Sequence, residues 1–239
     1  MSNLSTTSTV TAPPDSLGSK LNWLRAGVLG ANDGITSTAG IVMGVAGATK
    51  DTTALLIAGL AGLVAGALSM AGGEYVSVSS QKDTELATVA TVQANLKGQP
   101  EVCTAFVKDS YVAQGFSAEL ADEVTQHLMD NDPVAAVTRA RYGIDSNEQT
   151  SPVQAAFASF VAFTAGALIP LTAMVATPSV ARVIVTLVAV VIALTLTGYI
   201  SAKLSGASRI KSVLRNVIVG VVAMGLTYAV GHVVGVNLT

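Results

Sequence analysis

Asp33 is the first residue to consider, because it lies where a carboxylate is costly. It sits in the run from Ala26 to Thr49, in which Asn32 and Asp33 are the strongly polar groups. If that run is a helix and Trp23 anchors it at the interface, Asp33 lies ten residues in. At helical rise that is about 15 Å, the middle of a bilayer. A carboxylate there costs about 2.5–3.5 kcal/mol on insertion scales, and such residues usually mark ion or proton pathways. The competing use is a protonated Asp bonded to a neighbouring carbonyl. Met70 and Glu74 follow on a second apolar run, four residues apart and so on one helical face. A thioether beside a carboxylate suits a transition metal better than calcium or magnesium, which want oxygen alone. Taken singly, Met70 also reads as core filler, and Glu74 as a residue reaching water at the membrane boundary.

A third constellation lies in a polar stretch. Glu119, Glu123 and His127 fall at four-residue spacing with Asp130 close behind, and Leu120, Val124 and Leu128 form an apolar face opposite. A solvated acidic face and a metal-collecting face explain this pattern equally well. The remaining candidates have structural readings. Asn32 reads as a helix–helix hydrogen bond, Met43, Met174 and Met224 as packing, His232 as incidental, and Cys103 as a small buried hydrophobe. No HExxH, Cys-x-x-Cys, Gly-x-Ser-x-Gly or phosphate loop occurs, so nothing supports covalent catalysis or nucleotide hydrolysis, and no enzyme is expected.

The elements that position these groups follow from composition. Of 239 residues, 51% are hydrophobic and 12% charged, and the mean hydropathy is +0.58. Soluble domains carry about 25% charged residues, twice as many. The segment from Lys82 to Glu148 holds 16 of the 28 charges, eleven of them acidic. A soluble enzyme and a disordered protein are therefore excluded in favour of a membrane protein with one acidic, water-exposed segment. The net charge of −2 leaves no basic patch for nucleic acid, and a single cysteine forms no internal disulfide. Five stretches are long enough to cross: Ala26–Thr49, Ala54–Gly73, Val153–Thr177, Val183–Ala202 and Val217–Val236. The fold expected is all-α and polytopic. It has a disordered tail over residues 1–20, spans 1 and 2 within 21–81, a cytosolic helical insert over 82–151 and spans 3–5 within 152–239.

Lys20, Arg25, Lys82, Arg139, Arg141, Lys203, Arg209, Lys211 and Arg215 fall on one side of that arrangement, and only Lys50 and Arg182 flank the other. This places the N-terminus and the insert in the cytosol and the C-terminus outside. The second span has no stop at Gln81 and is expected to run to Lys97, with Gly98 as a left-handed cap. Pro100 opens a helix ending at Gly115. Ser117 caps Ala118–Met129, and Asp132 caps a further helix with Pro133 at its first position and Gly143 beyond its end. Gly40–Gly44 and Gly62–Gly66 are small-xxx-small pairs that serve packing within the chain or, alternatively, a dimer face.

Two stretches, "LRAGVLGANDGITSTAGIVMGVAGA" and "AGLAGLVAGALSMAGGEYVSVSSQKDTE", resemble the vacuolar iron transporter family. The "GALIPL" run from Gly166 and the closing "RNVIVGVVAMGLTYAVGHVVG" are similar to its third and fifth spans. The resemblance covers almost everything from Leu21 onward. It implies a homodimer in membrane lipid that exports ferrous iron or manganese from the cytosol against protons. The metal is cargo, and no permanent cofactor is implied. It assigns the intramembrane metal site to Asp33 and Met70. The chain departs from the family pattern twice. Plant members carry a glutamate where this chain has Gly62, and Glu74 is the expected substitute. The insert reads "TVATVQANLKGQPEVCTAF" where the family has several glutamates and a methionine pair.

The reading that follows is a proton-coupled exporter of divalent metal. Asp33, Met70 and Glu74 are its metal site, and Glu119, Glu123 and His127 a secondary one. Glu74 forms the cytosolic entrance with the serines beyond it (Ser77, Ser79 and Ser80). A short chain without a targeting segment suggests a bacterial plasma membrane. The rival is a non-transporting scaffold or metal buffer that acts through its acidic insert.

Overall fold

The computed structural model describes residues 17–144 and 151–238, and among these every regular element is helical. The helices are α1 (Leu17–Ala48), α2 (Thr52–Gly98), α3 (Pro100–Ala113), α4 (Ala118–Asn131), α5 (Pro133–Tyr142), α6 (Pro152–Ala176), α7 (Arg182–Ser205) and α8 (Arg209–Leu238). Most of the expected tail lies outside the described residues, as do residues 145–150 of the insert. Leu17 to Lys20, expected in the tail, instead form the first turn of α1. Leu17, Leu21 and Leu24 are already at helical spacing there.

The chain divides into two compact units, one of which comprises Trp23–Ala87 and Ser151–Thr239. Its core draws on five helices: Ile35, Ala39 and Val42 of α1, Leu55 and Leu63 of α2, Phe163 and Leu171 of α6, Val190 and Leu194 of α7, and Met224 of α8. Met43, Met174 and Met224 are buried, so these methionines pack. Four of the five helices are long and apolar enough to cross a membrane: α2, α6, α7 and α8. The fifth, α1, is long enough but is not among them. Asn32, Asp33 and the Thr36–Ser37–Thr38 run dilute its apolar character. Its apolar residues Ile35, Ala39 and Val42 are covered by the other helices of the core, so it does not need an apolar surface all round.

Glycines set how closely α1 approaches its neighbours. A Cβ on Gly34 would run into the Phe163 carbonyl of α6, and one on Gly231 of α8 would run into the Gly44 carbonyl of α1. The Gly40–Gly44 pair therefore packs within the chain. At one end of the bundle the Asp51 carboxylate accepts from the backbone N–H groups of Thr53 and Ala54, at 3.0 and 3.3 Å, and caps α2. The Arg182 guanidinium, 6% exposed, donates to the Lys50 carbonyl (3.3 Å) and to Thr52 Oγ1 (3.1 Å). Arg182, at the start of α7, thus ties to the backbone of Lys50 in the α1–α2 turn.

The second unit includes Thr88–Thr150. Its core is Val92, Cys103, Val107 and Val137, so Cys103 is indeed a small buried hydrophobe. Local chemistry sets its helix ends. Ser117 accepts from the Leu120 N–H, Asp132 from the Ala135 N–H, and Gly143 takes the left-handed conformation at φ +67°. Two details differ from expectation. Gly98 is the last helical residue of α2 and has no positive φ, because Gln99, at φ −143°, makes the turn into Pro100. On α4 the buried residues are Ala121 and Thr125, while Leu120 is 45% exposed. The packed face is thus turned one residue from the expected Leu120–Val124–Leu128 stripe, because the small Ala121 and Thr125 allow a closer approach.

A candidate metal site between α1 and α2

Helical periodicity builds this site. On α1, Asp33, Ser37 and Ile41 recur every four residues, and on α2 so do Gly62, Gly66, Met70 and Glu74. The two stripes share one cavity of about 580 Å³. Asp33, Met70 and Glu74, singled out on different grounds, all line it, as do Ser37, Ser69 and Phe163. Asp33 is exposed to it, while Met70 and Glu74 are half-buried. Neither carboxylate has a hydrogen-bond or ion-pair partner among the described residues. The bond from a protonated Asp33 to a neighbouring carbonyl is therefore not made. The cavity offers two carboxylates, one thioether and two hydroxyls. That mixed oxygen and sulfur set suits a divalent first-row transition metal.

Small residues keep the space open. A Cβ at Gly66 would strike the ring of Phe163, and one at Gly62 the end of Ile41. Phe163, 1% exposed, is a rigid wall, and no local pattern in the sequence points to it. Ser37 and Ser69 were also missed by sequence reading. Ser37 was findable, since it lies one turn from Asp33, and its hydroxyl donates to the Asp33 backbone carbonyl at 2.6 Å. The entrance serines Ser77, Ser79 and Ser80 do not line the cavity. The cavity ends at Glu74, and the three serines lie further along α2. Asn32 does not make its expected helix–helix bond. Its Oδ1 is buried without a partner.

In the insert, Glu119, Glu123 and His127 lie exposed along α4. His127 Nε2 is 3.2 Å from Asn131 Nδ2. Among the described residues, no group of three His, Cys, Asp or Glu side chains is arranged to hold a metal. His232 is exposed.

A family model, the VIT family, matches residues 24–232, which takes in both stripes of the cavity. The chain belongs to the VIT family. "Vacuolar iron transporter homolog 2" of Arabidopsis thaliana is 36% identical over 214 residues, covering 89% of this chain and 85% of the relative. "Vacuolar iron transporter" of Acanthamoeba castellanii is 38% identical over 210 residues, covering 87% and 77%. "VIT-like transporter 1b" of Glycine max is 33% identical over 219 residues, covering 91% and 79%. For this VIT-family chain, membership accords with the resemblance in the sequence and with a bundle of apolar helices built to lie in a membrane.

Proposed function

We propose that this VIT-family chain carries ferrous iron or manganese out of the cytosol in exchange for protons. The observation that supports this most is the single cavity onto which Asp33, Met70 and Glu74 all open. Metal and proton compete for a carboxylate, so a cation that binds Asp33 releases a proton, and a proton that returns releases the cation. One residue then couples both fluxes. Met70 disfavours magnesium and calcium, and Glu74 extends the site along α2. The names of the curated relatives favour iron; manganese rests on the chemistry of the donors.

The same reading makes α1 the fifth span. It puts the N-terminus and the insert in the cytosol, the C-terminus outside, and two copies together in a bacterial plasma membrane. The exposed Glu119, Glu123 and His127 would draw cations toward the membrane without holding one firmly.

The test uses protein in liposomes with a trapped metal-sensitive dye and a pH dye, to which ferrous iron or manganese is added outside. Metal uptake with opposite proton movement is expected, and Asp33→Asn should abolish both. Normal uptake by that variant would refute the mechanism. Absence of uptake for any divalent metal would favour a scaffold or buffer acting through the insert.

A further inference from the structure

Residues 149–239 contain five cations and no carboxylate. Arg182 is buried in the bundle, where both of its terminal nitrogens donate hydrogen bonds. Arg209 lies over the Tyr199 ring, 5.3 Å from its centroid. Lys203 is exposed near the end of α7; Lys211 and Arg215 differ from all three in forming a pair. They stand one turn apart on one face of α8, both exposed, and no described residue forms an ion pair or hydrogen bond with either. Like charges at that spacing repel, so the arrangement is unfavourable unless something anionic lies between them.

The rest of that face is apolar. Ile218 and Val222 continue the stripe from Arg215 at helical spacing, each 52% exposed, and Leu214 and Leu226 flank it at 56% and 63%. Of the helices able to cross a membrane, α8 is the least enclosed, with 11% of its apolar window buried. Two cations therefore sit at the end of an outward-facing hydrocarbon track. That is the shape of one phospholipid: a headgroup at Lys211 and Arg215, and an acyl chain along Ile218 and Val222.

We propose that the Lys211–Arg215 face of α8 binds the headgroup of an anionic phospholipid whose chain lies along Ile218 and Val222. Charge complementarity decides the class of lipid, because a zwitterionic headgroup would leave the two cations uncompensated. The proposal rests on the membrane location of α8 and is independent of metal transport. Each basic residue near a membrane surface strengthens its attraction to anionic lipid by an amount that makes two of them worth about 30-fold.

The test is native mass spectrometry of the full chain in neutral detergent. It is titrated with phosphatidylglycerol or with phosphatidylcholine of the same acyl chains. Phosphatidylglycerol should bind about 30-fold more tightly. The double variant Lys211→Gln/Arg215→Gln should reduce it to the level of phosphatidylcholine, while Lys97→Gln, an exposed cation outside α8, should leave it unchanged. Charge-preserving Lys211→Arg should retain the preference. Equal binding of the two lipids by the native chain would overturn the proposal, and that comparison needs no variant to fold. Unchanged preference in the double variant would do the same. Displacement by inorganic phosphate as effective as by the lipid would show a phosphate site and overturn the lipid assignment.

Discussion

Met70 and Asp33 share a cavity, and under the proposed exchange they would contribute different selectivities, a difference that can be measured. The carboxylate attracts any divalent cation, whereas the thioether rewards only a polarisable one. Met70 is half-buried and packs against the apolar core. Met70→Leu conserves volume there and should cost under about 1.5 kcal/mol in stability. It removes the sulfur, however. Uptake of ferrous iron or manganese by liposomes containing the variant should fall at least about tenfold, the loss seen when even the outer shell of a metal site is disturbed. Magnesium competition should rise correspondingly. A variant with native metal preference would assign Met70 to packing alone.

Among the helices, the glycine stripe of α2 determines whether there is a cavity at all. Gly66 faces the Phe163 ring, which is buried in the core and has no room to retreat. Gly66→Ala should therefore destabilise the bundle by about 1–3 kcal/mol through overpacking, read as a lower unfolding temperature, and should slow metal uptake. Gly62 is different, since its neighbour is the flexible end of Ile41. Arg182 acts at the far end of the same helices, where its two bonds hold the α1–α2 turn. Arg182→Gln removes the guanidinium from both bonds at a cost of about 1–3 kcal/mol. Amide exchange should accelerate over residues 49–54 and stay native in the insert; unchanged exchange at that turn would deny Arg182 this role. These examples show what a sequence reveals. Met70 and Glu74 were legible as one face because residues four apart share it whatever surrounds them, and Asp33 stood out as a carboxylate deep in an apolar run. Ser117, Asp132 and Gly143 were legible because a cap is satisfied within a few residues. Phe163, the buried Oδ1 of Asn32 and the apolar cover over α1 depend on helices distant in sequence, so no local pattern announces them. Gly98 shows the converse: a residue able to cap need not do so when Gln99 and Pro100 already turn the chain.

At the level of the whole molecule, charge and apolar surface are sorted into two units with separate cores. The segment from Lys82 to Glu148 holds 16 of the 28 charges, yet the unit formed from Thr88 onward still closes around Val92, Cys103, Val107 and Val137. The bundle core is a different set of residues, and no side chain belongs to both. Substitutions more than about 7–10 Å apart with no shared partners act additively, so damage to one core should leave the other intact. Val107, fully buried, is the place to test this. Val107→Ala removes two methyl groups and should cost the insert about 2 kcal/mol. Cys103 is a built-in reporter, because the residue is 6% exposed and its thiol reacts only when that core opens. In the variant, thiol labelling should begin at lower urea concentration, while amide exchange in α6 and α7 and metal uptake without urea stay native. Simultaneous loosening of α6 would mean that the two cores are energetically one. Loss of uptake with a native bundle would show that transport needs a folded insert, and the acidic stripe on α4 would then join the transport path.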